Sequence, residues 1–199
     1  MNIGIYIYDY AEPIDFSGPY EVFATANKHA AAYGTHFVPY LISETGAPIS
    51  ARHGYQVVPH RSFDNHPDLD VLIVVGGVHK HEMVNARAIE WIQEQAKQVK
   101  IVASVSTGAF LLAQAKLLQD RRVTTHWQDA DELSAQFPAL SVVKNVRWVE
   151  DGEVVTSGGM SAGIDMSLQL VSRLAKPSLA KKTAHLIDFK WRDEHVVAY

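Results

Sequence analysis

Apolar residues cluster along this chain in short runs, and the stretches between them are helical in their spacing. Ile3–Tyr8, Val71–Val75 and Ile101–Val105 are nearly continuous apolar runs bounded by polar residues. Such runs read as parallel strands buried on both faces. His36–Ile42 reads as a further strand, and Ile49–Ala51 with Gln56–Pro59 as a short hairpin around His53-Gly54. The first helix is predicted from Pro19, where a missing N–H costs nothing, to about Ala32, with Tyr20, Phe23, Ala24 and Asn27 on one face. Asp15 then falls in the loop before it, as a candidate site residue or simply an N-cap.

Further helices are predicted over Ala86–Gln98, Ala109–Ala115, Asp129–Gln136, Ile164–Leu174 and Ser178 to about Trp191. Arg61–Asp70 reads as a polar loop, and Val123–Trp127 as a short strand. Val142–Val149 and Glu153–Thr156 flank Asp151-Gly152, a strong hairpin signal. Strands alternating with helices predict an α/β fold, a three-layer sandwich around a mostly parallel sheet. The pattern contains no linker or repeat, so one domain over residues 1–199 is expected.

Only Ser106, Thr107 and Gly108 separate the strand Ile101–Val105 from the next helix. So tight a strand-to-helix change makes an elbow that pushes its tip residue, Ser106, out of the sheet with a helix N-terminus behind it. The G-x-S-x-G form has glycine where this chain has Ser104, so an ordinary turn with Ser106 as a cap competes with a nucleophile elbow. Gly76-Gly77 after Val75 marks a second place where backbone can approach a ligand closely.

Composition narrows the function. The net charge is −4 and no long Lys/Arg run occurs, which argues against a nucleic-acid partner. No apolar stretch is long enough to span a bilayer, and the N-terminus lacks the features of a signal peptide. There is no cysteine, so thiol catalysis and thiolate metal sites are absent from this sequence. That fits the cytoplasm. The ten histidines are scattered, and the His79–His81 pair reads as a solvated loop rather than a metal site.

Several segments agree in order and spacing with one family. Asp15-Phe-Ser-Gly18-Pro19-Tyr-Glu21-Val22-Phe23, Val75-Gly76-Gly77, Ser106-Thr107-Gly108, Thr124-Thr125-His126-Trp127 and Thr156 through Asp165 resemble the DJ-1/PfpI superfamily on a flavodoxin-like sandwich. Within it they are most similar to the isonitrile hydratase branch and to the sensor domains of AraC-type regulators. The resemblance runs from Ile3 to about Leu174. In that family the elbow residue is cysteine, and here it is Ser106. Thr107, where a His would stand, argues against the PfpI-type protease branch, and Val78-His79-Lys80 departs from the family's Gly-Pro-containing loop.

The resemblance implies hydration of an isonitrile to an N-substituted formamide. Asp15 would be the acid with a raised pKa, and the Ser106 position the nucleophile. The Thr107 hydroxyl would orient substrate or water. The amides of Gly77 and Thr107 would stabilise an anion, with Gly76, Gly108 and His126 completing the pocket. A serine needs an adjacent base, for which Asp15 and His126 are candidates, although a pocket-wall or interface role suits His126 better. Ser106 therefore has three open readings: a substitution that disables a thiol enzyme, a binding paralogue, or chemistry run by serine or activated water.

The alternative to an enzyme is a small-molecule sensor or binding module. A helix-turn-helix regulator is disfavoured by the length and charge, and deglycase-type chemistry ranks last because it relies on the missing thiol. No cofactor or metal is implied. A small-molecule substrate and a homodimer are, with Trp127, Trp148 and Trp191 as candidate contacts. Tyr10, Phe16, His79 and Met160 are candidates to line the pocket and suggest a mostly apolar small molecule.

Overall fold

A computed structural model describes residues 1–192. Its centre is a seven-stranded sheet. In chain order the first elements are β1 (Asn2–Tyr6), α1 (Pro13–Ala30), β2 (Val38–Ser43), β3 (Ile49–Ser50), β4 (Gln56–Val57), β5 (Arg61–Ser62) and β6 (Val71–Val74). There follow α2 (Ala86–Ala96), β7 (Ile101–Val105), α3 (Gly108–Gln114), β8 (Arg122–Val123), α4 (Ala130–Gln136) and β9 (Ser141–Val142). The described chain closes with β10 (Trp148–Asp151), β11 (Val154–Ser157), α5 (Ser161–Leu174) and α6 (Pro177–Leu186). The sheet order is β10-β11-β7-β6-β1-β2-β5. All its pairings are parallel except β10 with β11.

The order explains the layers. From β1 the chain steps one way to β2, and from β6 the other way to β7. Right-handed crossovers then put α1 and α2 on opposite faces. Helices α1, α5 and α6 pack together, as do α2 and α3. The expected three-layer α/β sandwich is what forms. The reversal between β1 and β6 is the place where such sheets open a crevice beyond their carboxyl ends. Strands β6 and β7 are buried at every residue, which is why they carry no alternation.

Several boundaries differ from the expectation. Helix α1 starts at Pro13, which takes the early helical position expected of Pro19. Pro19 lies inside the helix, so one backbone bond, to the Asp15 carbonyl, is not made. Asp15 is thus a buried residue of the first helical turn rather than part of a preceding loop.

The polar stretch after Pro59 contributes β5, a two-residue edge strand paired with β2. Only Arg122–Val123 pairs as strand where Val123–Trp127 was expected, because the next two threonines turn to other partners: the Thr124 amide donates to Thr156 Oγ1, and the Thr125 hydroxyl to the Ser106 carbonyl, each at 2.8 Å. The β10–β11 turn falls one residue later than expected, with Asp151 opposite Val154. Helix α6 ends at Leu186, short of Trp191.

Helix α3 leaves β7 so tightly that its first residue has no room for a side chain. A Cβ on Gly108 would lie 2.1 Å from the Val74 carbonyl oxygen, a backbone atom that cannot swing aside. Gly108→Ala is expected to destabilise the protein by more than about 2 kcal/mol. Urea unfolding of the two proteins checks this.

Candidate functional site

The elbow is formed. Ser106 has φ 54°, left-handed for a residue other than glycine, and it lies in the short turn that links β7 to α3. Such a backbone survives only where surroundings over-determine it. Here the Ser106 amide donates to the Ser157 carbonyl at 3.0 Å, and its carbonyl accepts from the Thr125 hydroxyl. From above, Gly159 lies so close that a Cβ there would stand 2.5 Å from the Ser106 Cβ. Gly159 itself has φ 89°.

The side chain at the elbow tip is almost free of partners. The Ser106 hydroxyl makes no hydrogen bond to another of the described residues. His126 does not serve it: its Nδ1 lies 3.4 Å from Asp129 Oδ2 and from the Gln128 amide. The Ser–His pair considered from the sequence is therefore not assembled.

The Gly77 amide is also engaged elsewhere, donating to Thr107 Oγ1 at 3.0 Å, while the Thr107 hydroxyl donates back to the Gly77 carbonyl at 3.1 Å. This pair ties the β6 loop to the elbow and takes Gly77 out of the expected anion-binding role. The Thr107 amide, ahead of α3 with no earlier helical carbonyl to bind, is the donor that remains. Gly76 packs against it.

One cavity of about 480 Å³ joins these groups. Ser106, Thr107, Gly77 and His126 line it, as do the expected His79 and Met160. Glu12, Arg52, Lys80, Gln128 and Asp129 also line it, so its wall is far more polar than expected. Arg52 reaches in from the turn between β3 and β4 and pairs with Glu12 at 2.9 Å. Nothing in the sequence around Arg52 signals that contact, because a long crossover separates the two. Phe16 faces a different, apolar groove, and Tyr10 a third cavity. Of the three tryptophans considered for an interface, Trp148 is core, Trp191 is half-buried and Trp127 is exposed.

Asp15 does not line the cavity. It is fully buried beside it, where one carboxylate oxygen accepts from the Met160 amide at 2.9 Å and the other has no side-chain or backbone partner within hydrogen-bond geometry. Burial raises its pKa from 3.8 to about 7, and nearby Glu12 adds to the rise, against the pull of the Met160 and Gly76 amides and of Arg52. A carboxyl so placed holds its proton up to about pH 7, where it is half ionised, and its second oxygen is enclosed without a hydrogen-bond partner. The Met160 amide was invisible to a reading of side-chain motifs, since the donor is backbone. Met160 holds an unusual conformation itself, φ 49° and ψ −120°.

Comparison with known proteins gives the family and the fold. The sequence profile of the DJ-1/PfpI family matches residues 1–173. The chain is similar to an isonitrile hydratase of Pseudomonas putida, 33% identical over 176 residues that cover 87% of this chain and 72% of the hydratase. It is 31% identical to the HTH-type transcriptional regulator CdhR of Pseudomonas aeruginosa over 166 residues, 83% of this chain and 48% of the regulator, so it spans about half of that relative. A solved structure of a ThiJ/PfpI family protein from Pseudomonas syringae superposes with a TM-score of 0.84 at 25% identity, covering 96% of this chain and 76% of that one.

The buried acid makes stability depend on pH. Between about pH 4 and 7 the folded protein holds a proton on Asp15 that the unfolded chain has lost, so stability falls as pH rises through this window. The full loss is on the order of 4 kcal/mol. Asp15→Asn is expected to lack this slope, becoming more stable relative to the parent at about pH 8 than at about pH 5. Urea titrations at the two pH values check it.

Proposed function

The chain belongs to the DJ-1/PfpI family, and from that premise we propose that it carries an isonitrile hydratase-like site whose nucleophile position is occupied by Ser106. The reaction adds water to an isonitrile and yields an N-substituted formamide. The observation that carries the proposal is Asp15: a buried carboxyl that holds its proton up to about pH 7, with one unpartnered oxygen, next to the segment that roofs the elbow.

The isonitrile carbon must gain both a proton and a nucleophile. Asp15 is the proposed source of the proton for that carbon as a nucleophile at position 106 bonds to it; because it lies beside the cavity rather than in its wall, the transfer requires the Met160 segment against it to shift as substrate binds. Water then adds across the resulting carbon–nitrogen double bond, its oxygen to carbon and one proton to nitrogen. The remaining O–H proton returns to Asp15 as the bond to residue 106 breaks and the formamide leaves, so residue 106 and Asp15 are restored and the net change is one water added. The Thr107 amide stabilises negative charge as water adds, and the Thr107 hydroxyl keeps the β6 loop against the elbow.

A thiol at position 106 does its part readily, with a pKa of about 8.5 that falls at a helix N-terminus. A serine hydroxyl needs a base in contact, and the described residues offer Ser106 none. The same lack of a base supports a second reading, a binding or sensor protein that holds its ligand without turnover. The similarity to a transcriptional regulator points the same way. In either reading the protein takes a small molecule and acts as a cytoplasmic homodimer without a cofactor, and a chain without cysteine needs no oxidising compartment.

Turnover of an alkyl isonitrile, followed as formamide appearance, separates the readings. The protein with Ser106 is expected to be inactive and the Ser106→Cys variant active, with a rate that falls as pH rises through about 7, where Asp15 loses its proton. Asp15→Asn in the Ser106→Cys background is expected to lower the rate at least about 100-fold. Turnover by both the parent and the Ser106→Cys variant would transfer the chemistry to serine or to water activated by Asp15. Turnover by neither, with ligand binding retained, would favour the sensor.

A further inference from the structure

The segment 157–161 touches both halves of the proposed chemistry. Its first residue holds the elbow strand twice: the Ser157 carbonyl accepts from the Ser106 amide, and the Ser157 hydroxyl donates to the Ser104 carbonyl at 3.1 Å. Gly159 covers Ser106, and the Met160 amide binds Asp15. Yet the run contains two consecutive residues at positive φ, one of them a methionine in a region that costs a non-glycine residue about 1–3 kcal/mol. Left to itself, such a segment relaxes. Something outside it must hold it in this shape.

One residue grips it on both sides of the strained pair. The Arg147 carbonyl accepts from the Gly158 amide at 2.8 Å, and the Arg147 guanidinium donates to Ser161 Oγ at 3.0 Å. The same guanidinium pairs with Asp165, one turn into α5. Arg147 and Asp165 are both buried, and the second Asp165 oxygen accepts from the Arg192 amide at 2.9 Å, so neither ion is left unpaired. A buried pair of this kind is weak evidence for stability, because replacing it with apolar residues is often neutral. Its position suits a geometric task.

We infer that Arg147 is a positioning residue for the site acid: it fixes segment 157–161 so that the Met160 amide reaches the Asp15 carboxyl. Arg147 does not act on Asp15 by its own charge. The charged side chains that do are Glu12 beside α1 and Arg52 from the β3–β4 turn, and the Tyr8 phenol beyond β1 also feels the carboxyl. The amides of Gly76 and Met160 complete its surroundings. Loosening the clamp removes a donor that favours the ionised carboxyl, so Asp15 should hold its proton to higher pH.

The inference rests on reading Asp15 as the site acid, but its test requires no turnover. The Asp15 protonation midpoint can be followed by the carboxyl stretch in infrared difference spectra of the full chain, with Asp15→Asn as the blank. Arg147→Lys, which can keep one bond to Asp165 but loses the planar fork, is expected to raise the midpoint by about one pH unit. Ser161→Ala, which removes one strand of the clamp at an exposed residue, should raise it less, in the same direction. The midpoint is the readout rather than thermal stability, since a loss of stability alone would follow from any structural role. An unchanged midpoint in the folded variants overturns the inference, and if Arg147→Lys does not fold, Ser161→Ala decides. A failed isonitrile assay leaves this result standing, so the two ideas fail separately.

Discussion

The left-handed backbone at Ser106 is the constraint that the surrounding structure satisfies. A residue with a Cβ adopts it only if its neighbours close around it, and four contacts do so. The Ser157 carbonyl takes its amide, the Thr125 hydroxyl takes its carbonyl, Gly159 lies over its Cβ, and the Thr107–Gly77 pair fastens the next loop beside it. They arrive from separate parts of the sequence. The parallel sheet brings them together because β6, β7 and β11 are neighbours that all end on the same side. Fold and site are thus coupled through backbone geometry together with the hydroxyls of Thr125 and Thr107.

Energetically the site departs from the rules that govern the rest of the molecule. The core is aliphatic and aromatic, with Ile3, Ile5, Leu72, Ile73 and Phe110 wholly enclosed. At its margin stands a carboxyl that burial penalises and only partial hydrogen bonding compensates. A protein optimised for stability alone would replace it. Retaining a carboxyl whose proton comes off only at about pH 7 makes sense where a proton is to be delivered, and this is the link between the packing of α1 and the chemistry proposed for the elbow.

Much of this was legible in the sequence because burial leaves a simple mark. Val71–Val74 and Ile101–Val105 are apolar at nearly every residue, and both are interior strands. The elbow was legible because so few residues connect β7 to α3. Asp15 was singled out but wrongly placed, since Pro13 and Pro19 both satisfy the preference for an early helical position and only tertiary packing decides between them. Arg61-Ser62 carries no strand signal because an edge pairing needs only backbone. The polar wall of the cavity was not legible for a related reason. Arg52, Lys80 and Asp129 are distant in sequence, and only the folded chain puts them on one wall.

The near isolation of the Ser106 side chain bears on how such a scaffold changes over time. Its backbone is tied down from several directions, while its hydroxyl touches no polar partner among the described residues. What the fold demands at this position is a conformation, and what chemistry demands is a single atom. Exchange of oxygen for sulfur there breaks no hydrogen bond. If the proposed chemistry is right, competence at this position is lost or regained by a minimal genetic change that leaves the architecture intact, without passing through an unfolded intermediate form.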